Sequence, residues 1–114
     1  MSVLTSIIDR SISGSFSSDL FFNVRDYAFY MYNNLTEVSF PNATSIGNKA
    51  FYSCSSLTTI YIGTNTSKVC TLSSTSAFNS CTSLTNIYVP SNLVDSYKSA
   101  TNWSTFASEI KAAP

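Results

Sequence analysis

Six carboxylates, three cysteines and no histidine are the groups from which this chain would have to build a reaction centre. Without imidazole, the Ser-His and Cys-His nucleophile pairs cannot form, and general acid and base work falls to Asp9, Asp19, Asp26, Glu37, Asp95 and Glu109. These are scattered, with no recurrent pairing of the kind a two-carboxylate glycosidase needs. The three glycines stand apart at positions 14, 47 and 63, so no Gly-rich loop cradles a phosphate. Cys54, Cys70 and Cys81 form no Cys-x-x-Cys pair and have no histidine to complete a metal site. Neither enzymatic activity nor a cofactor or metal is expected. What remains is recognition by flat rings flanked by hydroxyls and amides, a combination suited to sugars and polar protein surfaces.

The residues suited to recognition recur at fixed spacing. Ala28–Pro41 reads Ala-Phe-Tyr-Met-Tyr-Asn-Asn-Leu-Thr-Glu-Val-Ser-Phe-Pro, and the same phrase returns at Ala50–Gly63 and Ala77–Pro90. The second half of each copy alternates apolar and polar residues, which predicts a strand. Val38, Phe40, Ile60, Ile62, Ile87 and Val89 then point inward. Two columns point outward: Glu37, Thr59 and Asn86 in one, Ser39, Tyr61 and Tyr88 in the other. These six are the candidate binding residues. Cross-strand tyrosine pairs also stabilise sheets with no ligand present, so the column has a structural reading as well. Tyr30 and Tyr52, just after the repeat phenylalanines, form a second aromatic strip of lower priority.

A unit of this length cannot bury its own apolar edge, so copies must stack into a solenoid, an architecture that usually serves as a binding surface. Phe29, Phe51 and Phe78 are read as core, in a short turn or helical segment. Pro41, Gly63 and Pro90 punctuate the strand ends. The Ala-Phe units lie 22 and then 27 residues apart, which places an insertion within Thr64–Ser76. Val69 and Leu72 suggest that this insertion packs locally, as an extra short strand opposite the main sheet. Cys54 and Cys81 share one repeat column, close enough by strand spacing for a disulfide, but packed thiols are the favoured reading.

With 114 residues, 44% of them hydrophobic, the chain suits one domain with one continuous core. Charged residues are only 11% and cancel to zero, leaving no basic footprint for nucleic acid. No stretch is long and apolar enough to span a membrane, and the start, interrupted by Asp9 and Arg10, lacks the pattern of a signal peptide. Residues 1–23 read as an N-terminal cap, with Ile8, Ile12 and Phe16 spaced for a short helix or for strand and turn. After Pro90 the apolar spacing becomes helical, through Leu93, Val94, Tyr97 and Ala100 and again through Trp103, Phe106, Ala107 and Ile110. Two short helices are expected, capped by Ser91 and Asn102, closing the chain as a C-terminal helical cap over residues 91–114.

The phrase Ile-Gly-x-x-Ala-Phe-x-x-Cys-x-x-Leu-Thr-x-Ile-x-Ile, from Ile46 to Ile62, resembles the BspA-type leucine-rich repeat. The segment Ile87–Ala107 is similar to C-terminal caps of such proteins in gut bacteria, their prophages and phages. The resemblance implies an α+β repeat domain over residues 1–114: a short leucine-rich-repeat solenoid, one short strand per coil, three repeats over residues 24–90. It also implies binding on exposed sheet residues. The partner expected is a bacterial cell-surface glycan or protein, contacted from a phage or prophage tail, a virion or the cell surface. The alternative is assembly, with the sheet face packing on copies of itself or on a larger virion protein.

Overall fold

A computed structural model describes residues 3–4, 14–17 and 22–114 of the chain. Ile8 and Ile12 lie outside the described residues, and so does most of the segment read as an N-terminal cap. The strands, in chain order, are β1 (Val3–Leu4), β2 (Gly14–Ser17), β3 (Asn23–Val24), β4 (Leu35–Phe40), β5 (Ser45–Ile46), β6 (Thr59–Ile62), β7 (Thr71–Leu72), β8 (Asn86–Val89) and β9 (Ile110–Ala112). They form two sheets whose pairings are all parallel, a small one in the order β1-β3-β5-β7 and a main one in the order β2-β4-β6-β8-β9.

Each repeat contributes two strands, which corrects the expectation of one. Val24, Ile46 and Leu72 are the buried members of the two-residue strands β3, β5 and β7, matched in register. Strands so short show no alternation, which is why the sequence pattern misses them. The short strand expected within Thr64–Ser76 is present at Thr71–Leu72, but it is no extra element: it continues the small sheet at the same register as its predecessors. Phe16 is not helical but lies on β2, which extends the main sheet beyond β4.

Inward residues of both sheets share one core. Val38, Phe40, Ile60, Ile62, Ile87 and Val89 are fully buried, as the period-two alternation predicts. Between the sheets run Phe29, Phe51 and Phe78, stacked at 5.4 and 5.5 Å with rings within 3° and 5° of parallel. The Ala-Phe segment is a run of turns in the first two repeats and the 3-10 helix Thr75–Phe78 in the third. Its backbone alternates between local and inter-repeat bonds: Tyr30 N–H donates to Tyr27 O, while Phe29 and Met31 donate to Ala50 O and Tyr52 O of the next repeat.

The repeated side chains have inter-repeat jobs. Thr58 and Thr85 each donate both N–H and hydroxyl to the equivalent threonine carbonyl one repeat earlier. The Cys54 and Cys81 thiols donate to Phe29 O at 3.1 Å and Phe51 O at 2.9 Å. All three cysteines are free, with no disulfide between them. Gly47 is needed for close approach, since a Cβ there would sit 2.4 Å from both the backbone N and the Oδ1 of Asp26. That same Asp26 carboxylate accepts from Asn48 N–H at 2.7 Å.

After β8 the chain departs from the expected pair of helices. A 3-10 turn (Ser91–Leu93) leads into α1 (Val94–Ser99), and a kinked 3-10 stretch (Trp103–Glu109) follows. Neither Ser91 nor Asn102 caps through its side chain; Pro90 precedes the first turn, and Asn102 Nδ2 instead donates to Leu72 O at 2.7 Å. The end is a strand, not a helix: β9 pairs with β8, burying Ile110. Side chains serve the small sheet in the same way. Tyr97 OH accepts from Cys70 N–H at 2.8 Å and Trp103 Nε1 donates to Cys70 O at 2.6 Å, so backbone groups of Cys70 and Leu72 find partners without a further strand.

Candidate functional site

The outer face of the main sheet is built by the even spacing of β4, β6 and β8. Register aligns Ser17, Ser39, Tyr61, Tyr88 and Lys111 in one column. Ser15, Glu37, Thr59 and Asn86 form the column beside it. The structure thus brings the six sequence-predicted residues onto one face and adds Lys111, which sequence reasoning did not single out.

The two columns differ in how far they satisfy themselves. Thr59 is only 9% exposed, and its hydroxyl pairs with Thr58 Oγ1 at 3.2 Å and accepts from Asn86 Nδ2 at 3.4 Å. Lys111 Nζ donates to Asn86 Oδ1 at 2.6 Å and to Thr85 O at 3.0 Å. Thr59 and Asn86 therefore form an internal polar ladder, with Glu37, half-buried, next to Thr59 in their column. In the neighbouring column Tyr61 and Tyr88 stack with ring centroids 4.9 Å apart and planes 26° from parallel. The next positions are Ser39 and Ser17, whose side chains are too short to cover the remaining Tyr61 face.

The second strip is also present. Tyr30 and Tyr52 stack at 5.2 Å, and Tyr27 meets Tyr30 edge-on at 5.2 Å. It lies on the turns that lead from the small sheet to the main one.

Nucleophile chemistry finds no support in the thiols. Burial pushes Cys54 and Cys70 up to about 12 and Cys81 up to about 11, so all three stay protonated at neutral pH. Among the described residues no group of three His, Cys, Asp or Glu side chains is placed to hold a metal. No helix among them is long and apolar enough to cross a membrane.

The model of the BspA type leucine rich repeat region, in 6 copies, matches residues 11–111. The chain belongs to this family. The BspA-type match begins inside the segment read as an N-terminal cap and ends within β9, so it takes in nearly all of both sheets. BspA-type repeats are non-enzymatic, protein-binding surface modules, typically extracellular. No curated protein and no solved structure matches this BspA-type chain.

Proposed function

We propose that this BspA-type chain is a recognition module that docks a glycan ring of a bacterial cell surface on the open face of Tyr61, above Ser39. The observation that carries the reading is the incomplete aromatic column: Tyr88 and Tyr61 stack, and the position that would continue the stack holds a serine. A pyranose ring presents a C–H face to such a platform, and the Ser39 hydroxyl and Glu37 carboxylate lie alongside to fix its hydroxyls. Lys111, anchored on Asn86, is set beside Tyr88 at the far end.

The two parallel sheets are read as walls of a short solenoid, with residues 1–23 and 91–114 as its end caps. The setting proposed is a phage or prophage tail, a virion or a bacterial surface. It rests on the resemblance of the C-terminal segment to repeat proteins of that origin. Labelled protein applied to bacterial cells tests the reading: wild type should bind, and a folded Tyr61→Ser/Tyr88→Ser double variant should not. Equal binding by the two would reject the sheet face as the site. Concentration-dependent mass with loss of Tyr61 and Tyr88 exposure would favour the assembly role instead.

A further inference from the structure

The turns of the first two repeats carry a second surface, and large side chains are held there in a conformation that glycine adopts more easily. Tyr27 and Met31 have φ of 62° and Lys49 of 55°, all in the left-handed region where a Cβ crowds the backbone. The repeat equivalents of Met31 are Ser53 and Ser80, at φ 62° and 63°. Small residues thus satisfy the turn, and nothing in the core asks for Met31 or Tyr27, which are 45% and 44% exposed.

Two rings of these turns flank a cation. Lys49 Nζ lies 5.5 Å from the Tyr52 ring centre and 6.0 Å from that of Tyr27, and it pairs with no carboxylate among the described residues. The rings restrict the ammonium without neutralising it. Tyr30 and Tyr52 stack on each other, Tyr27 meets Tyr30 edge-on and Lys49 lies over Tyr52, so the rings of this strip are engaged with its own members. The Met31 thioether and the Tyr27 ring add residue types that are enriched at protein interfaces.

We propose that Tyr27, Tyr30, Met31, Lys49 and Tyr52 form a second docking surface, for an acidic protein segment whose Asp or Glu meets Lys49 and whose adjacent apolar side chain packs on Tyr27 and Met31. It is distinct in residues and in chemistry from the sheet face. The Lys49 charge favours an anion, and exposed Tyr27 and Met31 favour an apolar neighbour that polyuronate chains do not supply.

A random peptide display library panned on the full chain tests this, followed by titration of the enriched peptides. Peptides pairing Asp or Glu with an apolar residue should emerge, and their affinity should fall by about tenfold or more in Tyr27→Gly and in Lys49→Gln, as for central interface residues. Binding should weaken with added salt. Tyr27→Gly should melt no lower than wild type, because glycine relieves the positive φ, so lost binding would not be lost folding. Met31→Ser, which copies the other repeats, gives a second folded control with reduced affinity. Tyr61→Ser should leave peptide binding unchanged. Failure to enrich acidic peptides, or affinities indifferent to Tyr27→Gly and Lys49→Gln, would overturn the proposal. Binding of polygalacturonate through Lys49 without any peptide binding would also overturn it, reassigning the patch to acidic glycans.

Discussion

Two columns of rings run through this molecule, one inside and one outside, and they end differently. The inner column, Phe29, Phe51 and Phe78, is closed at both ends: Phe16 lies 5.4 Å from Phe29, and Phe106 meets Phe78 edge-on at 5.3 Å with Trp103 behind it at 6.1 Å. The outer column, Tyr61 and Tyr88, runs from Lys111 and stops at Ser39. Stacking itself follows from placing like residues in register at strand spacing, so it says little about function. The informative feature is the place where the outer column is left unfinished. A closed stack serves the core; an open one leaves a ring face for something else.

The sharpest break between the columns is energetic. Phe51→Ala removes a ring stacked on both sides in the core and should cost about 3–5 kcal/mol in chemical denaturation. Tyr61→Ser, on the half-exposed column, should cost below about 1 kcal/mol. Comparable losses at the two positions would remove the distinction. Trp103→Phe keeps most of the ring that ends the inner column but leaves the buried Cys70 carbonyl without its donor. It should cost about 1–3 kcal/mol, read by the same titration.

The interior also predicts a pH response. Burial holds the Tyr97 hydroxyl at about 12 against an ordinary 10.0, and the thiols at about 11 to 12 against 9.0. In the unfolded chain these groups lose their protons at lower pH than in the folded one, so the unfolded state binds fewer protons as pH rises. Their contribution is intact below about pH 9 and is lost progressively toward pH 12. Denaturation midpoints should therefore fall across that window, and Tyr97→Phe should blunt the part above pH 10. A flat profile would contradict the protonated, buried state of these groups.

Much of this was readable in the sequence, for reasons that differ by element. Period-two alternation and three aligned copies fixed the inward set Val38 to Val89 and the outward columns, because a pleated strand leaves no other assignment. Of the small sheet only the strand at Thr71–Leu72 was readable, from the apolar Val69 and Leu72, since strands such as Ser45–Ile46 are shorter than one alternation. Ile110 fell at helical spacing from Phe106, yet it pairs in β9 because the β8 edge still needs a hydrogen-bonding partner. Missing β9 meant missing Lys111, and with it the ladder through Asn86 that covers Thr59. Asn102 has the right chemistry for a helix cap, but the Leu72 carbonyl takes its amide. Such choices depend on neighbours distant in sequence, which local spacing does not encode.

The smallest change in stability carries the most direct test. Ser39→Tyr would complete the outer column with the protein's own ring, changing stability by only about 0.2–1 kcal/mol, in the stabilising direction. Wild type, Ser39→Ala and Ser39→Tyr should be compared on a panel of bacterial surface glycans. Binding by wild type, weakened but retained in Ser39→Ala and abolished in a folded Ser39→Tyr, is the expected result; undiminished binding by Ser39→Tyr, or none by wild type, would contradict a ligand site on the open face of Tyr61.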